Sequence, residues 1–239
     1  MATEQLLDDT RCLEVLATIQ AELGAPDLKV TASLVIKRIG FLTLAPMLSA
    51  MSWYDKGLDM TINNCIFEYP LEQQQWQSRM PLKNCRVNSP GCQRTTWREA
   101  LLTAAFDQNL SLLVKQFHRL TRVPQAVLWE NIAIRVFSIY ERRILPALTE
   151  PTQRAVAEAD FAYLLQADTT RVFGLDKNPL TRYFYELSQH NEHTVPVRVR
   201  RTCCYYYKVT DPAKYCSTCP LVGKKPSARG GCGSGNKGR

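Results

Sequence analysis

The densest chemistry in the chain lies near its carboxyl end. The adjacent pair Cys203-Cys204 is followed by an eleven-residue loop and then by Cys216-Ser217-Thr218-Cys219-Pro220. Four thiols fall within 17 residues, close enough for one local loop to gather them around a single centre. Thiolates suit zinc or an iron–sulfur cluster. Structural zinc sites usually space paired cysteines by two to four residues so that the chain can turn about one ion. Cys216 and Cys219 obey that spacing and Cys203-Cys204 does not. A two-iron cluster is larger and presents two separate metal atoms, so diverging neighbouring side chains can reach it. The spacing therefore favours a [2Fe-2S] cluster held by Cys203, Cys204, Cys216 and Cys219, with zinc as the competing reading. Tyr205, Tyr206, Tyr207 and Tyr215 sit in or beside the loop and serve either to cover the centre or as ordinary packing.

Charge follows the cysteines. The chain has 239 residues and a formal net charge of +8. Residues 1–195 hold 20 Lys and Arg against 21 Asp and Glu, whereas residues 196–239 hold ten basic groups against Asp211 alone. The whole excess thus sits where five of the nine cysteines sit. Val195 to Arg201 alternates apolar and basic positions, the pattern of a strand with one basic face. Arg198, Arg200 and Arg201 on that face are candidates to attract an anionic substrate or to donate to cluster sulfurs; otherwise the face is simply solvated. Tyr205 to Val209 reads as a second strand.

The elements that must position these residues read mostly as helices. The periodicity predicts a helix over Ala2 to Leu23, ended by Gly24-Ala25-Pro26, and a largely buried one over Thr31 to Ser52 whose only charges are Lys37 and Arg38. Met60 to Tyr69 reads as a strand or hairpin, and residues 70–94 as loop with a second short strand. Thr96-Trp97-Arg98-Glu99 has the form of a capping box, opening a helix to Leu120 with a core face at Leu102, Phe106, Leu110, Leu113 and Phe117. Pro124 opens the next, ending before Pro146, with Leu128, Ile132, Val136, Ile139 and Tyr140 inward. A helix from Pro151 to Gln166 follows, and Asn178-Pro179 starts a short one through Leu187.

The expected fold is α+β: a predominantly helical body with a small β component over residues 1–194, a cluster-binding segment over 195–223, and a flexible basic tail over 224–239. The longest uncharged stretch after Arg38 has 16 residues and contains Pro46, short of the ~20 a spanning helix needs. The acidic start of the chain lacks the pattern of a signal peptide. A cytoplasmic, reducing location follows as an expectation, with the cysteines not paired as structural disulfides.

The segment from Val197 to Tyr207, containing Arg201-Thr202-Cys203-Cys204, together with Tyr215-Cys216-Ser217-Thr218-Cys219-Pro220, resembles the C-terminal signature of FhuF-like ferric siderophore reductases. Leu128-Trp129-Glu130-Asn131 and Asn178-Pro179-Leu180 are similar to two further stretches of that family, in the same order. One departure is the loop, eleven residues here where the family's best-known form has about one fewer, a difference that bears on the cover of the cluster rather than on ligation. The resemblance implies that the four cysteines hold a [2Fe-2S] cluster and that the protein reduces Fe(III) in an imported siderophore, often of the hydroxamate type, releasing Fe(II) in the cytoplasm.

No nucleotide fingerprint is present. Gly230 to Gly235 is glycine-rich but does not sit between a strand and a helix, so electrons are expected from an external donor protein rather than from a bound nicotinamide or flavin. Cys232 reads as a spare thiol, and His118, His190 and His193 lack ligand spacing. The rival function is a zinc-containing nucleic-acid binder, whose basic strand would track phosphates and whose tyrosines would stack on bases. The acidic helical body speaks against it, so no nucleic-acid partner is expected. The five Lys and Arg of the tail suit an accessory contact with anionic lipid at the inner face of the plasma membrane.

Overall fold

The computed structural model describes residues 1–72, 75–188 and 196–222. The tail from 224, Cys232, the 230–235 glycines, His190, His193 and Val195 lie outside the described residues. The structure is built from helices α1 (Asp9–Leu23), α2 (Leu28–Tyr54), α3 (Arg94–Ala105), α4 (Leu112–Thr121), α5 (Gln125–Ile139), α6 (Leu145–Ala147) and α7 (Pro151–Leu164). The only paired strands among the described residues are the two-residue β1 (Leu71–Glu72) and β2 (Gln75–Trp76). The fold is therefore mostly helical, with less β structure than the alternating segments suggested.

Helix α2 is the axle. Asp27 caps it, its carboxylate accepting from the Val30 amide at 2.8 Å. Fifteen of its 27 residues are buried, and α1, α4, α5 and α7 pack around it. It is the one described helix long and apolar enough to cross a membrane. Lys37 and Arg38 interrupt it midway, and its apolar side chains belong to the common core. Helix α5 packs against it at Gly40, where a Cβ would touch Ile132 Cγ1 at 3.4 Å. Asp160, buried on α7, joins the layers. It accepts from both terminal nitrogens of Arg94 at 2.7 and 2.8 Å, from Arg98 at 3.3 Å and from Ser52 at 2.9 Å.

Several sequence expectations hold. Leu102, Phe106, Leu110, Leu113 and Phe117 are buried, as are Leu128, Ile132, Val136, Ile139 and Tyr140. Gly24 ends α1 in the left-handed conformation. One antiparallel register runs through Cys65–Leu82, Glu68–Arg79 and Leu71–Trp76, so residues 65–72 pair irregularly with residues 75–82.

Others are corrected. The first helix starts at Asp9, behind a 3₁₀ turn over Thr3–Leu7, because Asp8 caps it through the Arg11 amide at 2.8 Å. Thr96 caps nothing: α3 already begins at Arg94, and Glu99 instead accepts from the Tyr163 hydroxyl at 2.9 Å. Helix α5 does not stop before Pro146. It widens into a π-helical turn over Tyr140–Ile144 and continues through α6, which accommodates the proline. Asn178 opens no α-helix. Its side chain accepts from the Leu180 amide and donates to the carbonyls of Leu164 and Gln166, leaving only a 3₁₀ turn over Thr181–Tyr183. The segment Tyr206–Val209 is likewise a 3₁₀ turn rather than a strand. Residues 196–201 carry one isolated bridge, Ser188–Val197.

Candidate metal centre

Two side chains of α5 and one of α2 hold the Cys203-Cys204 segment in place. Glu130, fully buried, accepts from the amides of Arg201 at 2.6 Å and Thr202 at 2.7 Å and from the Thr202 hydroxyl. Its neighbour Asn131 donates to the carbonyl and hydroxyl oxygens of Ser33 on α2, at 2.8 and 3.0 Å. The Ser33 hydroxyl in turn donates to the Cys204 carbonyl at 3.0 Å. The second cysteine pair is tied to the first through the backbone, the Arg200 amide donating to the Thr218 carbonyl at 2.9 Å. Cys219 follows a tight turn closed by its own amide on the Cys216 carbonyl.

Two of the four thiols, one from each pair, meet as a result. Cys204 Sγ lies 3.8 Å from Cys216 Sγ. At Tyr205 the chain turns in the left-handed region, with φ 64°, and the amides that follow face sulfur. Tyr205 N–H donates to Cys203 Sγ at 3.3 Å, and the Tyr206 backbone helps to pull the Cys204 thiol down. Amides on thiolate sulfur stabilise the anion. Tyr207 stacks on Tyr215 at 5.4 Å across the loop, while Tyr206 and Tyr215 themselves are exposed.

Cations surround the sulfurs. Lys37 Nζ is 3.7 Å from Cys204 Sγ. The Cys204 thiol is pulled well below the ordinary thiol range, first by the bond with Cys216 and then by Lys37 and Arg200. The same bond and burial push Cys216 up. Burial pulls Lys37 down, and the Cys204 thiolate opposes that. Thiols held this way give up their protons when a metal binds, because the thiolate is the ligand.

These residues suit a negatively charged sulfur-ligated group. Buried Arg200 leaves its Nη2 without a hydrogen-bond partner, which is costly unless an acceptor arrives. Among the described residues no three His, Cys, Asp or Glu side chains close on a single-ion centre. A two-iron cluster asks for something different, two pairs of thiolates each facing its own iron.

The basic face expected on residues 195–201 is turned inward. Arg198 and Arg200 are buried at 6% and 3% exposure. Arg198 makes a two-pronged pair with Glu141, both bonds 3.0 Å, and Arg200 stands 3.8 Å from Glu130. Their carboxylate partners, 57 and 70 residues away in sequence, are invisible to an alternation pattern. The strand a phosphate-tracking surface would need is not presented. Arg201 is exposed, with its guanidinium over the Tyr185 ring at 5.0 Å.

Beside the thiols opens a cavity of about 290 Å³ whose wall includes Cys216, Lys37, Arg135, Arg142, Arg198 and Arg200. Lys37, Arg135 and Arg142 were not among the expected site residues. A lysine midway along an apolar helix was the available signal for the first; Arg135 and Arg142 carry no such mark in sequence.

Comparison with known families gives two adjoining matches. Residues 33–192 match the family described as ferric iron reductase FhuF-like transporter, and residues 200–221 match the FhuF 2Fe-2S C-terminal domain. No curated protein and no solved structure matches the chain. The C-terminal match identifies the cofactor as a [2Fe-2S] cluster. With two thirds of its length in the first match and its clustered cysteines in the second, the chain belongs to the FhuF-like ferric siderophore reductase family.

Proposed function

We propose that the protein performs one-electron reduction of an Fe(III)–siderophore, of the hydroxamate type the resemblance implies, and releases Fe(II) in the cytoplasm. In this reading Cys203, Cys204, Cys216 and Cys219 hold the [2Fe-2S] cluster, and residues 1–194 form the body on which the segment 195–223 is mounted. The observation that carries it is the meeting of Cys204 and Cys216 at 3.8 Å among buried cations, with Cys216 also in the wall of an accessible cavity.

Bound there, the cluster supplies single electrons at a potential that all-cysteine ligation can set near about −400 mV. The chain's own residues do the rest. Glu130 and the Asn131–Ser33 pair fix the Cys203-Cys204 backbone. Lys37, Arg200 and the Tyr205 amide offset the sulfur charge. Arg198 and Arg200 face the cavity in which a chelate would sit. Siderophores grip Fe(III) with hard oxygen donors and hold Fe(II) far less tightly, so one electron suffices to free the iron. That electron comes from an external one-electron donor protein. The basic residues 224–239 add a contact with anionic lipid, each charge contributing up to about 1 kcal/mol near such a surface.

Single-turnover mixing tests the reading. Holoprotein reduced with dithionite and freed of excess is mixed anaerobically with a ferric trihydroxamate and a ferrous-specific chromogenic chelator. The expected result is return of the visible absorption lost on reduction, matched by one trapped Fe(II) per electron stored. Protein that stays reduced in the presence of the ferric chelate contradicts it.

A further inference from the structure

The cavity beside Cys216 is more positive than its neighbours can neutralise. Five cations line it against a single carboxylate, Glu141, and Arg198 already occupies that carboxylate through two 3.0 Å bonds. Arg200 stands against Glu130, and Lys37 against Cys204. Arg135 and Arg142 have no carboxylate within ion-pairing distance among the described residues. The Nε of Arg135 is buried without a hydrogen-bond partner, and its guanidinium shares the Phe41 ring with those of Arg38 and Arg143, at 5.4, 6.0 and 5.1 Å. Burial, Arg200 and Arg38 all press the Arg135 charge down, with the Cys204 thiolate opposing them. Like charges crowded in a partly desolvated space raise the local potential and favour an anion. Even the double negative charge of an oxidised two-iron, two-sulfide, four-thiolate centre leaves the wall net positive.

Glu141 and Arg142 stand seven residues beyond Ile134 and Arg135 and three and four beyond Ser138, so they share one helical face with them, and all line the same cavity. At about 290 Å³ the cavity lies at the small end of ligand pockets, which run from about 300 to 1,000 Å³. It suits one charged face of a large chelate rather than the whole molecule.

We propose that this cavity seats the ferric chelate and selects for net negative charge. Its preferred substrates are hydroxamate siderophores that carry extra carboxylates, ahead of neutral or cationic ones. Three hydroxamates neutralise Fe(III) by themselves, so the selection acts on groups outside the iron coordination. Arg135 and Arg142 are the specificity-determining residues. The inference rests on the reductase reading for its substrate.

The test uses one linear trihydroxamate in three forms: terminal amine free, acetylated or succinylated. The ferric complexes share their coordination and differ only in charge, from positive through neutral to negative. KM and kcat are measured on the holoprotein at low ionic strength with dithionite as reductant and trapped Fe(II) as readout. Kd is measured for the redox-inert Ga(III) complexes by quenching of tryptophan fluorescence. KM and Kd should both fall by about 10-fold or more from the cationic to the succinylated form, with kcat nearly constant. Arg142→Gln and, separately, high salt should compress that range several-fold; Arg142 is exposed, so its replacement leaves the core packed. Equal KM and equal Kd across the three forms would overturn the charge preference while leaving the reductase reading standing. If no ferric form is reduced by cluster-loaded protein, the reductase reading falls, and the gallium series still decides whether the cavity prefers anions.

Discussion

Glu130 and Thr202, 72 residues apart, are joined at a single buried carboxylate: Oε2 accepts the Thr202 amide at 2.7 Å and its hydroxyl as well, while Oε1 takes the Arg201 amide at 2.6 Å. Through this side chain the helical body sets where Cys203 and Cys204 begin. Replacing Glu130 by Gln keeps the shape but turns an NH₂ group toward a backbone donor and removes the charge facing Arg200. One unsatisfied buried donor costs about 1–3 kcal/mol. The variant should melt roughly 2–12 °C lower and carry less iron per chain as purified. Wild-type iron content in Glu130→Gln would show that the anchor does not govern the centre.

The Asp160 latch is expected to behave differently, because it joins α2, α3 and α7 rather than the cysteine segment. Asp160→Asn leaves Arg94 and Arg98 without their buried partner, and breaking such a pair costs about 3–5 kcal/mol. The melting temperature should drop by roughly 6–20 °C, while the visible spectrum of the folded fraction stays that of wild type. A changed spectrum at 4 °C would mean that the latch reaches the metal centre after all.

Alkaline pH should weaken the fold through two buried thiols that are not among the four candidate ligands. Burial, the largest cause, pushes Cys12 and Cys65 up to about 12 from the ordinary 9.0. The unfolded chain releases these protons near pH 9 and the folded chain only near 12. The stabilisation from keeping them neutral is therefore complete below pH 9 and is lost as pH climbs from 9 to about 12. Urea midpoints of the holoprotein should fall between pH 8 and pH 10.5. Cys12→Ala, though less stable at pH 8 from lost packing, should show a shallower fall. Equal slopes in the two proteins would remove Cys12 from the account.

For the tail, deletion of residues 224–239 should weaken binding to vesicles containing phosphatidylserine and leave iron content unchanged. Equal vesicle binding by the full-length and shortened proteins would deny the tail its proposed contact.

The helices were legible because their apolar positions repeat at helical spacing, and Phe106, Phe117, Ile132 and Val136 are buried as that spacing requires. The cysteines were legible because thiols so close together have few other uses. What could not be read were relations across long sequence separations. Alternation at 195–201 marks Arg198 and Arg200 as sharing a face but cannot say that Glu141 and Glu130 wait there. Thr96 satisfies a local capping rule that the earlier start of α3 at Arg94 overrides. Lys37, Arg135 and Arg142 come together only once α2, α5 and its π-turn are packed, so the cavity has no signature in any one stretch of chain.

The most direct measurement is iron and acid-labile sulfide content of anaerobically purified protein, read with the EPR spectrum of the dithionite-reduced sample, for the native chain and Cys216→Ser. The expected result is two iron and two sulfide per native chain, a rhombic half-integer-spin signal on reduction, and loss of most of both in the variant. Native protein without inorganic sulfide, or a Cys216→Ser variant with the native stoichiometry and signal, would contradict it.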